Sequence, residues 1–86
     1  MPVDQAKLNQ FMEVYARALG NAVLEHPKEY VYSLSLVPTV VERMRAALES
    51  GSYNHDGRAF KGTCKALGIK HTRKEIEAFI RIPANV

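Results

Sequence analysis

The strongest constraint on this chain lies between residues 54 and 81, NHDGRAFKGTCKALGIKHTRKEIEAFIR. Gly68 is a helix-stopping glycine, and Thr72-Arg73-Lys74-Glu75 follows as a capping box, threonine to glutamate at the spacing that starts a helix. Stop followed by restart demands two short helices with a turn between them. Asp56 is the expected N-cap of the first, over about Gly57 to Leu67, with Asn54 as a competitor. Phe60, Cys64 and Leu67 share its apolar face. The second begins at Arg73, buries Ile76, Phe79 and Ile80, and should stop at Pro83, leaving a frayed PANV tail.

The same stretch is basic. Arg58, Lys61, Lys65, Lys70, Arg73, Lys74 and Arg81 stand against Glu75 and Glu77 once the first helix has begun. Arg58, Lys61 and Lys65 recur as a stripe apart from the apolar face. Lys70, His71, Thr72, Arg73 and Lys74 surround the start of the second helix, where free amides and cations together suit phosphate. Across the chain the net charge is +3. Residues 1–42 hold three basic and five acidic side chains, and residues 43–86 hold nine and four. A basic C-terminal half can orient the molecule toward polyanions. The plainer alternative is a helical bundle with basic exposed faces, on which Arg73–Glu77 and Glu77–Arg81 pair four residues apart.

Two helices of this kind invite comparison with the helix-turn-helix, whose second helix enters the major groove. With Gly68 at the turn glycine, Thr63, Cys64, Leu67 and Ile69 occupy acceptable positions. Lys74 and Glu77 then fall where apolar residues are required, because Ile76, Phe79 and Ile80 come about two places late. The unit is therefore helix-turn-helix-like, with a loop longer than the standard motif.

Upstream, Leu8, Phe11, Met12, Tyr15, Leu19, Ala22 and Val23 line one face of a helix from about Asp4 to Leu24. Asp4 is its N-cap, and Pro27 ends it. Residues 28–37 fit both an alternating and a helical pattern. No second segment reads as a strand partner, which favours an extended or short helical connector held by its aromatics. Helical spacing returns from about Pro38 to Glu49 through Val40, Val41, Met44, Ala47 and Leu48, and Gly51 closes it. The expectation is an all-α, small four-helix single domain over residues 1–86, with the helix-turn-helix-like unit at its C-terminal end.

Several functions are not expected. His55, Cys64 and His71 lack the fourth ligand of a structural zinc site, and Cys64 falls on an apolar face. No motif places a nucleophile, and the glycines form no phosphate-cradling loop, so neither an enzyme nor a cofactor is expected. No apolar run approaches a membrane span or a signal peptide, and a single cysteine fits a reducing cytoplasm. Tyr53, in the polar link beside the basic unit, is a candidate for stacking on bases.

From Val37 through Phe79, the segments VPxVxxRM, SYNHDG and TCKALGIKHT followed by an isoleucine and an aromatic resemble small proteins encoded by tailed bacteriophages. That resemblance covers about half of the chain. It is to proteins without an assigned activity, so it transfers no residue roles. It implies a compact protein acting in the cytoplasm of an infected bacterium, as an early regulator or as a blocker of a host or defence component. Together these readings lead to a regulator that binds nucleic acid, DNA ahead of RNA, through Arg58, Lys61, Lys65, Lys70, His71, Thr72, Arg73 and Lys74. The alternative is an inhibitor or adaptor whose basic face docks on an acidic host or defence protein. A homodimer joined through residues 29–37 or the first helix is compatible with both.

Overall fold

A computed structural model of the protein describes residues 2–82. Among them are four α-helices and no strand: α1 (Gln5–Glu25), α2 (Val37–Ser50), α3 (Arg58–Leu67) and α4 (Arg73–Ile80). Helix α1 is the platform, and α2, α3 and α4 each pack on it. Its 21 residues span about 30 Å at the usual helical rise, which makes the molecule long in one direction, 45 × 22 × 19 Å. Asp4 caps it as expected, its Oδ1 accepting from the amides of Ala6 (3.1 Å) and Lys7 (3.3 Å). All seven residues of the predicted stripe, Leu8 through Val23, are buried.

Phe60 on α3 fills the centre of the core. Its ring lies 5.2 Å from Phe11, 6.3 Å from Tyr15 and 5.9 Å from Tyr53, the last nearly parallel. Thr63 and Cys64, one turn on, face α1 beside it and are buried. The Thr63 hydroxyl donates to the Ala59 carbonyl at 2.7 Å, so no polar group is stranded there. Val41 and Leu48 bring in α2, while Ile76 and Ile80 bring in α4.

Gly51 and Gly68 end α2 and α3 in the left-handed region, at φ +81° and +73°. Beyond each, an amide reaches back to close the last turn: Ser52 to Ala47, and Ile69 to Cys64, both at 3.0 Å. Helix α3 starts differently from expectation. Gly57, not Asp56, is its N-cap, and no side chain among the described residues caps it. The Asn54 side chain accepts the Asp56 amide at 2.9 Å, and this local turn points Asp56 toward His55. Thr72 caps α4 as expected, accepting from Glu75 N at 3.4 Å. Only that half of the capping box forms among the described residues. Helix α4 ends at Ile80, and Pro83 with the PANV tail lies outside the described residues.

The connector between α1 and α2 contains two 3₁₀ turns, Pro27–Glu29 and Leu34–Leu36, rather than a strand. Tyr30 and Tyr32 meet edge to face at 5.8 Å and pack against the core. One feature is absent from the periodic pattern. The backbone at the two ends of the described chain pairs, with Val3 opposite Arg81, Asp4 N donating to Ile80 O (2.8 Å) and Ile82 N to Pro2 O (2.9 Å). Arg81 secures this clasp. Its side chain is 8% exposed, and its guanidinium donates to the carbonyls of Leu48 (2.6 Å) and Glu49 (3.2 Å) and to Glu77 Oε1 (3.3 Å). The predicted Glu77–Arg81 pair thus also caps the C-terminal end of α2.

Candidate nucleic-acid-binding surface

Arg58, Lys61 and Lys65 lie on the side of α3 opposite its buried face, and all three are exposed. They do not act alike. Arg58, in the first turn, is held by Glu29 of the connector through two bonds of 3.1 Å each. Both partners are about half exposed, so the pair contributes little stability. It nevertheless occupies the guanidinium. Lys61 and Lys65 have no acidic partner among the described residues. Lys65 lies in the last turn, where a cation also suits the negative end of the helix dipole.

Lys70, His71, Thr72, Arg73 and Lys74 are all exposed around the start of α4. The Thr72 side chain takes Glu75 N, and its carbonyl takes Ile76 N at 3.0 Å. The amides of Arg73 and Lys74 precede these and have no backbone partner among the described residues. Lys65 is next to this loop in the fold, since only Gly68 and its flanking residues separate the two helices. Arg58 is at the far end of α3, about 15 Å away by helical rise. The sequence-predicted site therefore divides. Lys65 joins residues 70–74 around the loop, with Lys61 one turn back, while Arg58 belongs with the connector.

Two expectations change here. Tyr53 is 6% exposed and offers no free face. One face stacks on Phe60, and the Arg73 guanidinium covers the ring at 4.6 Å. Its hydroxyl donates to Glu77 Oε2 at 2.9 Å. The predicted Arg73–Glu77 pair is correspondingly not made, because Glu77 is taken by Tyr53 and Arg81 and Arg73 turns onto the ring. The partner of Arg58 was not visible in the sequence either. Glu29 is 29 residues away, and no helical spacing links the two.

Burial pushes the Tyr15 phenol up to about 12. Burial, followed by the bond to Glu77, does the same for Tyr53. Both phenols ionise near pH 10 once unfolded. A raised folded pKa means that their contribution is complete below pH 10 and is lost as pH rises toward 12. The urea midpoint should hold from pH 7 to 9 and fall between 10 and 12. Tyr15 and Tyr53 should ionise latest by absorbance at 295 nm, and burial also pushes Tyr32 up. Four equivalent titrations near pH 10 in the folded protein would contradict this.

Among the described residues, no three His, Cys, Asp or Glu side chains gather in a way that could hold a metal ion. Cys64 is buried, and burial pushes its thiol up, away from the reactive thiolate. No helix among the described residues is long and apolar enough to cross a membrane. In comparisons with protein-family models, with curated proteins and with solved structures, nothing matches this chain.

Proposed function

We propose that this chain is a small regulatory protein that binds nucleic acid, DNA ahead of RNA, through the helix-turn-helix-like unit at residues 54–81. The observation that carries this reading is the set Lys61, Lys65, Lys70 and Lys74, exposed and without an acidic partner among the described residues, beside the open amides that begin α4. Arg73 and His71 add to it. Phosphates would meet the lysines and the α4 amides, and any base reading would come from residues 70–74. The resemblance to small phage-encoded proteins is consistent with such a role in an infected bacterium.

Binding of this kind displaces counterions, so affinity should fall steeply with salt. Replacing Lys65, Lys70 and Lys74 by alanine should reduce the log–log salt slope by about two to three units, at about 0.9 per duplex phosphate contact. Lys7→Ala should leave it unchanged. Fluorescence anisotropy with labelled duplexes from 25 to about 300 mM salt reads both effects. No binding at the lowest salt would refute the reading. The lysines are the better choice for substitution, because Arg73→Ala would also uncover Tyr53.

A second reading, an inhibitor or adaptor docking on a host protein, has its own support. Leu24, Val31, Leu34 and Leu36 are exposed around the connector, and Val31 is fully so. A stoichiometric protein partner captured from nuclease-treated bacterial lysate favours it, and light scattering tests a homodimer through the same segment.

A further inference from the structure

A cleft of about 210 Å³ opens between α1, the connector, Met44 of α2 and the first turn of α3. Its floor is Leu19, Met44 and Phe60. Tyr15, Tyr30 and Tyr32 line it, and Asn54, Gly57 and Arg58 form its mouth. The volume equals roughly seven waters at about 30 Å³ each, enough for one ring system.

Two independent features of this cleft ask for a ligand. At the mouth, α3 begins without a side-chain cap, leaving the first-turn amides facing outward beside the Arg58 guanidinium. Within it, Tyr15 is 5% exposed, yet its hydroxyl makes no hydrogen bond among the described residues. It is also not sealed off, since among the described residues only His55 Nδ1 is a buried, partnerless side-chain atom. The Tyr15 hydroxyl therefore opens onto the cleft as a donor in want of an acceptor. One group already competes at the mouth. Glu29 of the connector holds Arg58 in a half-exposed pair that an incoming anion can displace.

We propose that this cleft binds a single nucleotide unit, its acceptor-bearing base against the half-buried rings of Tyr30 and Tyr32 at the Tyr15 hydroxyl and its phosphate at Arg58 and the open start of α3. Glu29 is the internal carboxylate that this phosphate replaces. The cleft itself asks for a ring-sized acceptor joined to an anion, and the choice of a nucleotide rests on the nucleic-acid reading above. Such a unit can come free or as the unpaired end of a strand.

The test is a titration of the ¹⁵N-labelled full chain with adenosine and cytidine monophosphates, inorganic phosphate and a 5′-phosphorylated pentanucleotide. Either monophosphate, or the strand, should shift the amides of residues 57–60 and the rings of Tyr15, Tyr30 and Tyr32. The better binder identifies the source. Tyr15→Phe keeps the packed ring and should weaken binding about fivefold, the size of one net hydrogen bond. Glu29→Gln should tighten it by up to about fivefold. Unmoved cleft resonances at millimolar ligand, unchanged affinity in Tyr15→Phe, or inorganic phosphate binding as well as the nucleotides would each overturn the proposal. The variant lacking Lys65, Lys70 and Lys74 keeps the two readings apart. It should lose duplex binding and still bind monophosphate in the cleft. If duplex fails to bind the unmodified chain while monophosphate shifts the cleft, the cleft stands and the basic-surface reading falls. Duplex binding with an unresponsive cleft means the reverse.

Discussion

Phe60→Ala should cost about 3–5 kcal/mol of folding stability, the usual range for removing a fully buried phenylalanine. The ring is 1% exposed and touches three other aromatic rings, so its loss leaves a void that rigid neighbours cannot easily fill. A domain of this length has a total stability of about 4–13 kcal/mol. The variant should therefore be marginal or largely unfolded at 25 °C, by circular dichroism and by collapse of its amide spectrum. Phe60→Leu preserves most of the volume and should cost less than about 2 kcal/mol. A loss below 1 kcal/mol in Phe60→Ala, from urea melts with unchanged m-value, would show that this cluster is not the centre of the core.

Arg81→Ala should be the most damaging change to a charged residue, at about 2–3 kcal/mol. It leaves the Leu48 and Glu49 carbonyls without their donor and strips Glu77 of its cation. Glu77 is 30% exposed, which keeps the figure below that of a fully buried pair. Lysine should not rescue the loss, since one ammonium cannot span two carbonyls and a carboxylate as the planar fork does. Urea melts give the magnitude, and faster exchange of the Asp4 amide locates the damage. An Arg81→Lys variant as stable as the parent would show that charge alone matters at this position.

The helices were readable because each carries its own punctuation. Asp4, Gly51, Gly68 and Thr72 act through backbone groups a few residues away, so their effect is local and visible in order along the chain. The apolar stripe of α1 was readable for the same reason. The α3 start was misjudged because Asn54, Asp56 and Gly57 compete within one turn, and a small difference in hydrogen bonding decides between them. The basic residues of the candidate surface were identifiable by type, but their availability was not. Whether Arg58 is held by Glu29, or Arg73 by Tyr53, depends on which distant segments the fold brings alongside. The cleft was invisible for the same reason, since Tyr15, Tyr32 and Gly57 are far apart in sequence and share no spacing rule.

The clasp between residues 2–4 and 80–82 bears on the order of events during synthesis. Helix α1 can form as soon as it is made, because Asp4 caps it with its own side chain. The Asp4 amide finds its acceptor, Ile80 O, only after a further 76 residues have been made. Contacts this distant along the chain form late, after the entropy of closing the intervening loop has been met. Nascent α1 can pack first against α2, but part of its apolar face must wait until α3 and α4 arrive. The segment that follows α4 is the one that fastens residues 2–4 in place.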